Sequence, residues 1–288
     1  MLPDVREIYT MIRLMRIART MADLRRALTG QRGITLVPTM GNLHEGHLSL
    51  ARIARARGGL VVTSIFVNPL QFAPHEDFAS YPRTLERDCE LLSHVGCDIV
   101  FAPKEEEIYP ELQEYKVNPP ARLADILEGA VRHAFFTGVC TVLLKLFSAV
   151  QPTAVVFGKK DYQQLLIIRT MVRQFMLPIK VLPADTVRAS TGLALSSRNC
   201  YLSDLQRVEA AQLHAMLMKV AAAVRAGRTD LCVLEQEASD TLKVRGWSAD
   251  YVAIRRQSDL AEPAPGDRLV VLGAARLAGT RLIDNVEI

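Results

Sequence analysis

The chain has 288 residues, 49% hydrophobic and 23% charged, which is enough to bury a large core in one large α/β domain or in two domains. A formal net charge of +4, spread without a basic cluster, argues against nucleic acid as a partner, and no apolar run reaches the roughly 20 residues needed to span a bilayer. Cys89, Cys97, Cys140, Cys200 and Cys232 are odd in number and show neither a Cys-x-x-Cys pair nor zinc spacing; together with an N-terminus lacking the features of an export signal, they predict free thiols in a cytoplasmic protein.

Residues 1–10 precede a second methionine, Met11, and read as an extension without functional weight. Apolar periodicity then predicts a helix over 18–28, a strand over 34–38, a helix over 48–56 and a strand over 60–67. A helix over 85–94, strands over 98–101 and 154–157, and a helix over 162–175 continue the alternation. Short apolar strands alternating with helices imply a parallel sheet covered on both faces, an α/β doubly wound, Rossmann-like fold whose ligands bind at the carboxyl ends of the strands. Past about residue 183 the pattern changes to helices over 204–226 and 231–244, strand-like runs at 250–254 and 268–273, and a Pro/Gly-rich loop at 261–266. The expected division is therefore a first domain over 11–184 and a smaller α+β domain over 185–288.

The strongest chemical signal runs from Pro38 through Thr39, Met40, Gly41, Asn42, Leu43, His44, Glu45 and Gly46 to His47, where the first apolar strand gives way to a helix. A helix N-terminus presents unpaired N–H groups to phosphate, and two imidazoles three residues apart are expected on one helical face, both donating to an α-phosphate. A structural or metal role is the alternative for a His pair, but no third ligand of zinc type is evident. Gln71 follows the strand at 60–67, where its amide can both donate and accept. After the strand at 154–157 come Gly158, Lys159, Lys160, Asp161 and Gln164, and near the domain junction stand Leu195, Ser196, Ser197 and Arg198, hydroxyl and guanidinium donors suited to phosphates.

His44-Glu45-Gly46-His47 is the His-x-Gly-His motif of the nucleotidyltransferase superfamily, and with the longer block and the later segments in order, the chain resembles the pantothenate synthetase family over about residues 15–285. The resemblance implies ATP-dependent condensation of pantoate with β-alanine through a pantoyl adenylate, releasing pyrophosphate and AMP. It implies catalytic roles for His44, His47 and Lys160, and ATP contacts from 40–47, 158–161, Val187 and 195–198. Gln71 and Gln164 would hold pantoate, Mg2+ would enter with ATP on no dedicated protein ligands, and the chain would pair as a homodimer. Two positions depart from the family pattern: Phe135 stands where a histidine is familiar, and Thr191 where an aspartate is common. Two alternatives stay open here. Another nucleotidyltransferase would exchange pyrophosphate with a phosphorylated acceptor rather than pantoate, and a silent nucleotide-binding module would bind ATP without turnover.

Overall fold

The computed structural model describes residues 15–73 and 78–288, so the expected extension at 1–10 lies outside it. The first half is a six-stranded, all-parallel sheet built from β1 (Arg16–Ala18), β2 (Thr35–Thr39), β3 (Val61–Ile65), β4 (Ile99–Phe101), β5 (Ala154–Gly158) and β6 (Lys180–Ala184). The strand order is β1-β4-β3-β2-β5-β6. Thr35 pairs with Val61 on one side and Ala154 on the other, so the chain winds outward from β2 in both directions and reverses between β2 and β5. That reversal is a switch point, where helices leave opposite faces and the strand ends open a crevice.

The longer helices of this half are α1 (Met21–Leu28), α2 (Glu45–Ala56), α3 (Leu85–His94), α4 (Phe135–Val150) and α5 (Tyr162–Gln174), with single turns at Glu105–Ile108, Ala121–Ala124 and Glu128–Val131. The helix expected over 18–28 begins three residues late, because Thr20 is its N-cap, its hydroxyl taking the Asp23 N–H at 3.1 Å, while Ala18 ends a short edge strand. β6 and α4 were not expected. α4 has buried residues on most sides, and the narrow polar stripe of Thr137, Thr141, Lys145 and Ser148 marks its period only faintly.

The second half contributes α6 (Asp204–Arg225), α7 (Leu231–Val244) and a three-stranded antiparallel sheet of β7 (Ser248–Arg256), β8 (Leu269–Leu277) and β9 (Thr280–Glu287). α6 starts with a reciprocal cap between Ser203 and Gln206. Alternation along β8 sends Val270 and Leu272 into the core of the parallel-sheet half, and Val271 and Ala275 into a second core against the two helices. The small sheet is thus a middle layer with no wet face at its centre.

Polar bonds seal the joint. Glu128, buried, accepts a bidentate contact from Arg281 at 2.6 and 2.7 Å and the Tyr251 hydroxyl at 2.8 Å, and Arg281 also reaches Asp250 at 2.6 Å. Burial alone would raise the Glu128 pKa; the Arg281 guanidinium outweighs it and holds the carboxyl below its ordinary value.

Candidate active site

The carboxyl ends of β2 and β5 lie side by side at the switch point. Leaving β2, the chain turns through Gly41 at φ +84° and Asn42 at φ 49°, a left-handed pair that needs a glycine first, since a Cβ there would sit 3.0 Å from Ile65 Cγ2. Asp88 of α3, fully buried, fixes this turn: its carboxylate accepts the N–H groups of Asn42 at 2.9 Å and Leu43 at 2.8 Å, and the Thr84 hydroxyl at 3.1 Å. Leu43 buries its side chain in the core, and Glu45 points out to pair with Arg52.

His44 and His47 do not share a helical face, as their spacing suggested. His44 is the N-cap of α2, with extended backbone at φ −135° and ψ 175°. Its Nδ1 accepts the Gly46 N–H at 3.1 Å, while His47 turns back so that its Nδ1 accepts the His44 N–H at 3.4 Å. The rings sit 4.1 Å apart, centroid to centroid. Gly46 is a steric necessity here, because a Cβ would lie 2.8 Å from His44 Cε1.

This narrows the expected cluster of open N–H donors at the helix end. The amides of Asn42 and Leu43 are occupied by Asp88 and those of His44 and Gly46 by the imidazoles, so the rings themselves become donors. A histidine whose Nδ1 accepts a hydrogen bond is neutral and carries its proton on Nε2, so both rings offer a fixed Nε2–H. Burial pushes His44 down to about 4, helped by Lys160; burial pushes His47 to about 3, helped by His44 and Lys160.

After β5 the turn Lys159–Asp161 leads into α5. Gly158 faces open space where a Cβ would meet nothing within 4 Å. Lys159 sends its ammonium away, to Asp185 and Glu287 at 3.0 Å each, so only its backbone belongs to the turn. Asn285 of β9 reaches across and donates to the carbonyls of both Lys159 and Lys160 at 2.9 Å. Lys160, Asp161 and Gln164 then line a cavity of about 500 Å³ between the two halves, together with Ser196, Arg198, Arg132 and Phe135. The adjacent glutamines differ in kind. Gln163 is buried with its amide used by the Glu128 N–H and the carbonyls of Leu123 and Ile126, whereas Gln164 reaches the cavity. Glu128 and Asp284 also border this space, but arginines already cover them, Arg281 on the first and Arg188 at 2.9 Å on the second, so the field in the cavity is positive.

Gln71 is oriented by a residue the sequence reading passed over. Asn68, buried, donates from Nδ2 to Gln71 Oε1 at 2.8 Å and to Gly138 O at 3.1 Å, and accepts the Tyr109 hydroxyl at 2.7 Å. With its oxygen so held, Gln71 presents its NH2 outward. Its carbonyl accepts from Arg132 at 3.1 Å, and the Arg132 guanidinium lies 3.7 Å over the Phe135 ring, so the phenylalanine in the histidine's place supports a cation at the cavity wall. Thr191 is exposed on a turn ahead of the junction loop.

The junction loop closes the arrangement. Val187 O accepts the Leu195 N–H at 3.0 Å, Ser196 caps the turn Ser197–Tyr201, and the Ser197 hydroxyl donates to Asn42 O at 3.1 Å. Leu195 lies beside Gly46, its Cβ 3.8 Å from where a Cβ there would be. Met40 and Gly41 border a separate space of about 390 Å³ on the far side of the turn. Among the described residues no three His, Cys, Asp or Glu side chains converge to hold a metal ion. Asn68 ahead of a proline was a readable turn signal; Asp88 and Asn285, remote in sequence, gave none.

Residues 12–287 match the family model described as pantoate-beta-alanine ligase. A curated pantothenate synthetase of Leptothrix cholodnii is 58% identical, the alignment covering 95% of this chain and all of the relative. Among solved structures, the pantothenate synthetase of Thermus thermophilus superposes with a TM-score of 0.89 at 44% identity, covering 95% of this chain and 99% of the other. The pantoate-beta-alanine ligase of Francisella tularensis, solved as a complex with beta-gamma ATP and beta-alanine, superposes with a TM-score of 0.77 at 30% identity, covering 95% and 97%.

Proposed function

This chain belongs to the pantoate-β-alanine ligase family, and from that premise we propose that it condenses pantoate with β-alanine at the expense of ATP, in the cavity between its two halves. In the first step a pantoate carboxylate oxygen attacks the α-phosphorus and the bond to pyrophosphate breaks. In the second, the amine of β-alanine attacks the acyl carbon of the adenylate, AMP leaves, and the amine's proton passes to solvent. No protein nucleophile is needed, so the chain's contribution is positioning and charge stabilisation.

The observation that carries this reading is the interlocked imidazole pair within the field of Lys160. Neutral rings with their protons on Nε2 can donate to an α-phosphate without lending that proton away. Lys160 and Arg198 neutralise charge building on the phosphates, Ser196 adds a hydroxyl donor, Ser197 holds their loop to Asn42 O, and Asp161 with the open face of Gly158 suits a ribose. The backbone from Met40 to Leu43, with Glu45, Lys159, Val187 and Leu195, shapes the nucleotide's surroundings more than it grips it. Gln71, aimed by Asn68, and Gln164 take pantoate.

Mg2+ would arrive on the triphosphate. The cationic lining suits the phosphates rather than a bare metal ion, so phosphate oxygens and water would hold it, and it would draw charge off the phosphates. We assign the chain to the reducing cytosol on its five free cysteines, and to a homodimer on its family. The parallel-sheet half over 11–184 and the small-sheet half over 185–288 are proposed as the two working domains.

The test omits each substrate in turn from purified protein. Equimolar AMP and pantothenate should appear only with ATP, pantoate and β-alanine all present. His44→Ala, His47→Ala and Lys160→Ala should each slow single-turnover adenylate formation by about 10²–10³, with circular dichroism unchanged. Unaltered rates in all three would remove these roles.

A further inference from the structure

β9 holds both of the loops that bring cations to the cavity, and it does so through two successive residues. Asn285, buried, spends the two hydrogens of its Nδ2 on the carbonyls of Lys159 and Lys160, at 2.9 Å each. Asp284 faces the other way, as alternation along a strand requires, and takes the Arg188 guanidinium at 2.5 and 2.9 Å.

The two carbonyls held by Asn285 belong to the peptide units on either side of the Lys160 Cα. A peptide unit is rigid and a residue turns only about φ and ψ, so clamping both neighbouring planes on one side-chain amide fixes both angles. Asn285 therefore sets the direction in which the Lys160 side chain leaves the backbone. Lys159 is anchored instead at its far end, its ammonium on Asp185 and Glu287. Lys160 has no such anchor among the described residues, and its aim comes from the root.

Asn285 is itself referenced to the second loop. Its N–H donates to Asp284 Oδ1 at 2.8 Å, and its carbonyl accepts from Arg188 at 3.5 Å. Arg188 also donates to Gly192 O at 3.2 Å and pairs with Ala194 in an isolated antiparallel bridge, so it braces the tight reversal 187–195 that leads into Ser196 and Arg198. Joining the two halves does not require this amide, because Arg281 on Glu128, the Tyr162 hydroxyl on Glu287 at 3.2 Å and the shared apolar core already do so.

We propose that Asn285 is a positioning residue for adenylate formation, aiming Lys160 at the phosphates in register with the loop of Arg198. The inference rests on the proposed reaction and on the role given there to Lys160, and it adds a residue 125 positions away in the chain that acts on the substrate only through that lysine.

The test is a double-mutant cycle read by single-turnover adenylate formation, with the unfolding midpoint of each variant measured alongside. Asn285→Ala should slow the step about tenfold to 10²-fold in the parent, as expected for a misplaced charge, while the KM for ATP moves less than about threefold. In the Lys160→Ala background the same substitution should cost less than about twofold, since there is no ammonium left to aim, whereas in the Gln71→Ala background it should keep its full cost. Asn285→Asp, which keeps the size and removes both donors, should repeat the pattern and serves if the alanine variant does not fold. Equal costs in the parent and in Lys160→Ala would make Asn285 a mere strut and overturn the inference. An unchanged rate in Asn285→Ala, with Lys160→Ala slow, would overturn it too and leave the reaction standing; an unchanged rate in Lys160→Ala would remove the role of the lysine and this inference together.

Discussion

The start of α2 and the turn after β5 lie within electrostatic reach of each other, yet they are built in opposite ways. The first is local: His44 and His47 cap one another across three residues, and Gly46 between them leaves room for the His44 ring. The second is assembled from afar, its carbonyls held by Asn285 and the neighbouring Lys159 anchored on Glu287, both from the last strand of the chain. Chemistry that depends on the orientation of a proton is placed in a short self-contained motif. Chemistry that depends only on net charge tolerates a scaffold spanning two halves.

That contrast can be broken from either side. Arg281→Ala attacks the assembled side by stranding the buried Glu128 carboxylate without its cation, the Tyr251 hydroxyl alone remaining on it. It should cost about 3–5 kcal/mol of stability in denaturant unfolding, while any enzyme still folded keeps its imidazole pair. Gly46→Ala attacks the local side. Displacing the His44 ring should lower the turnover number about 10²-fold, with almost no change in the unfolding midpoint, and loss of stability in step with rate would contradict the steric account.

Asp88→Asn sits between the two, since a remote residue supports the local turn. One of its two backbone donors would face an amide instead of an oxygen, at a cost of about 1–3 kcal/mol. The turnover number should fall more than the affinity for ATP, because what shifts is the placement of His44 and not the cationic lining.

The smallest effect is on acid stability. His44 and His47 titrate at about 4 and 3 in the folded chain against an ordinary 6.5, so the unfolded chain binds more protons between those limits. Their contribution is complete above 6.5 and drains away as pH falls towards 4 and then 3. Replacing both with the caps His44→Asn and His47→Gln should flatten the decline of unfolding free energy between pH 7 and about pH 4.5; an unchanged slope would mean the rings are not held neutral.

The same contrast explains what could be read from sequence. Nearly every strand end that carries chemistry was legible, since β2, β3 and β5 are short apolar runs and their following motifs are contiguous. The helix-face reading of the two histidines failed because histidine is an uncommon cap, and three-residue spacing fits a capping box as well as a helical stripe. β9 was illegible for a different reason. Arg281 and Glu287 interrupt its apolar alternation because they bond to the other half of the molecule, and Asp284 because it holds Arg188 ahead of the junction loop, purposes visible only once the chain is folded. α4, apolar apart from its narrow stripe of Thr137, Thr141, Lys145 and Ser148, showed its period only faintly.

The placement of β8 between two cores bears on how the molecule can move. Swinging the small sheet away as a rigid flap would tear Ala253, Leu260, Val270 and Leu272 from the first core, at roughly 1.5–3 kcal/mol for each of the larger side chains. Breathing is cheapest where polar contact rather than packing joins the two halves, and residues 195–199, which meet the α2 entrance through the Ser197 hydroxyl while Arg188 and Leu193 anchor the preceding stretch to the small-sheet half, fit that description. Breathing of a short flexible rim over an otherwise immobile basin costs far less than swinging a hinged door.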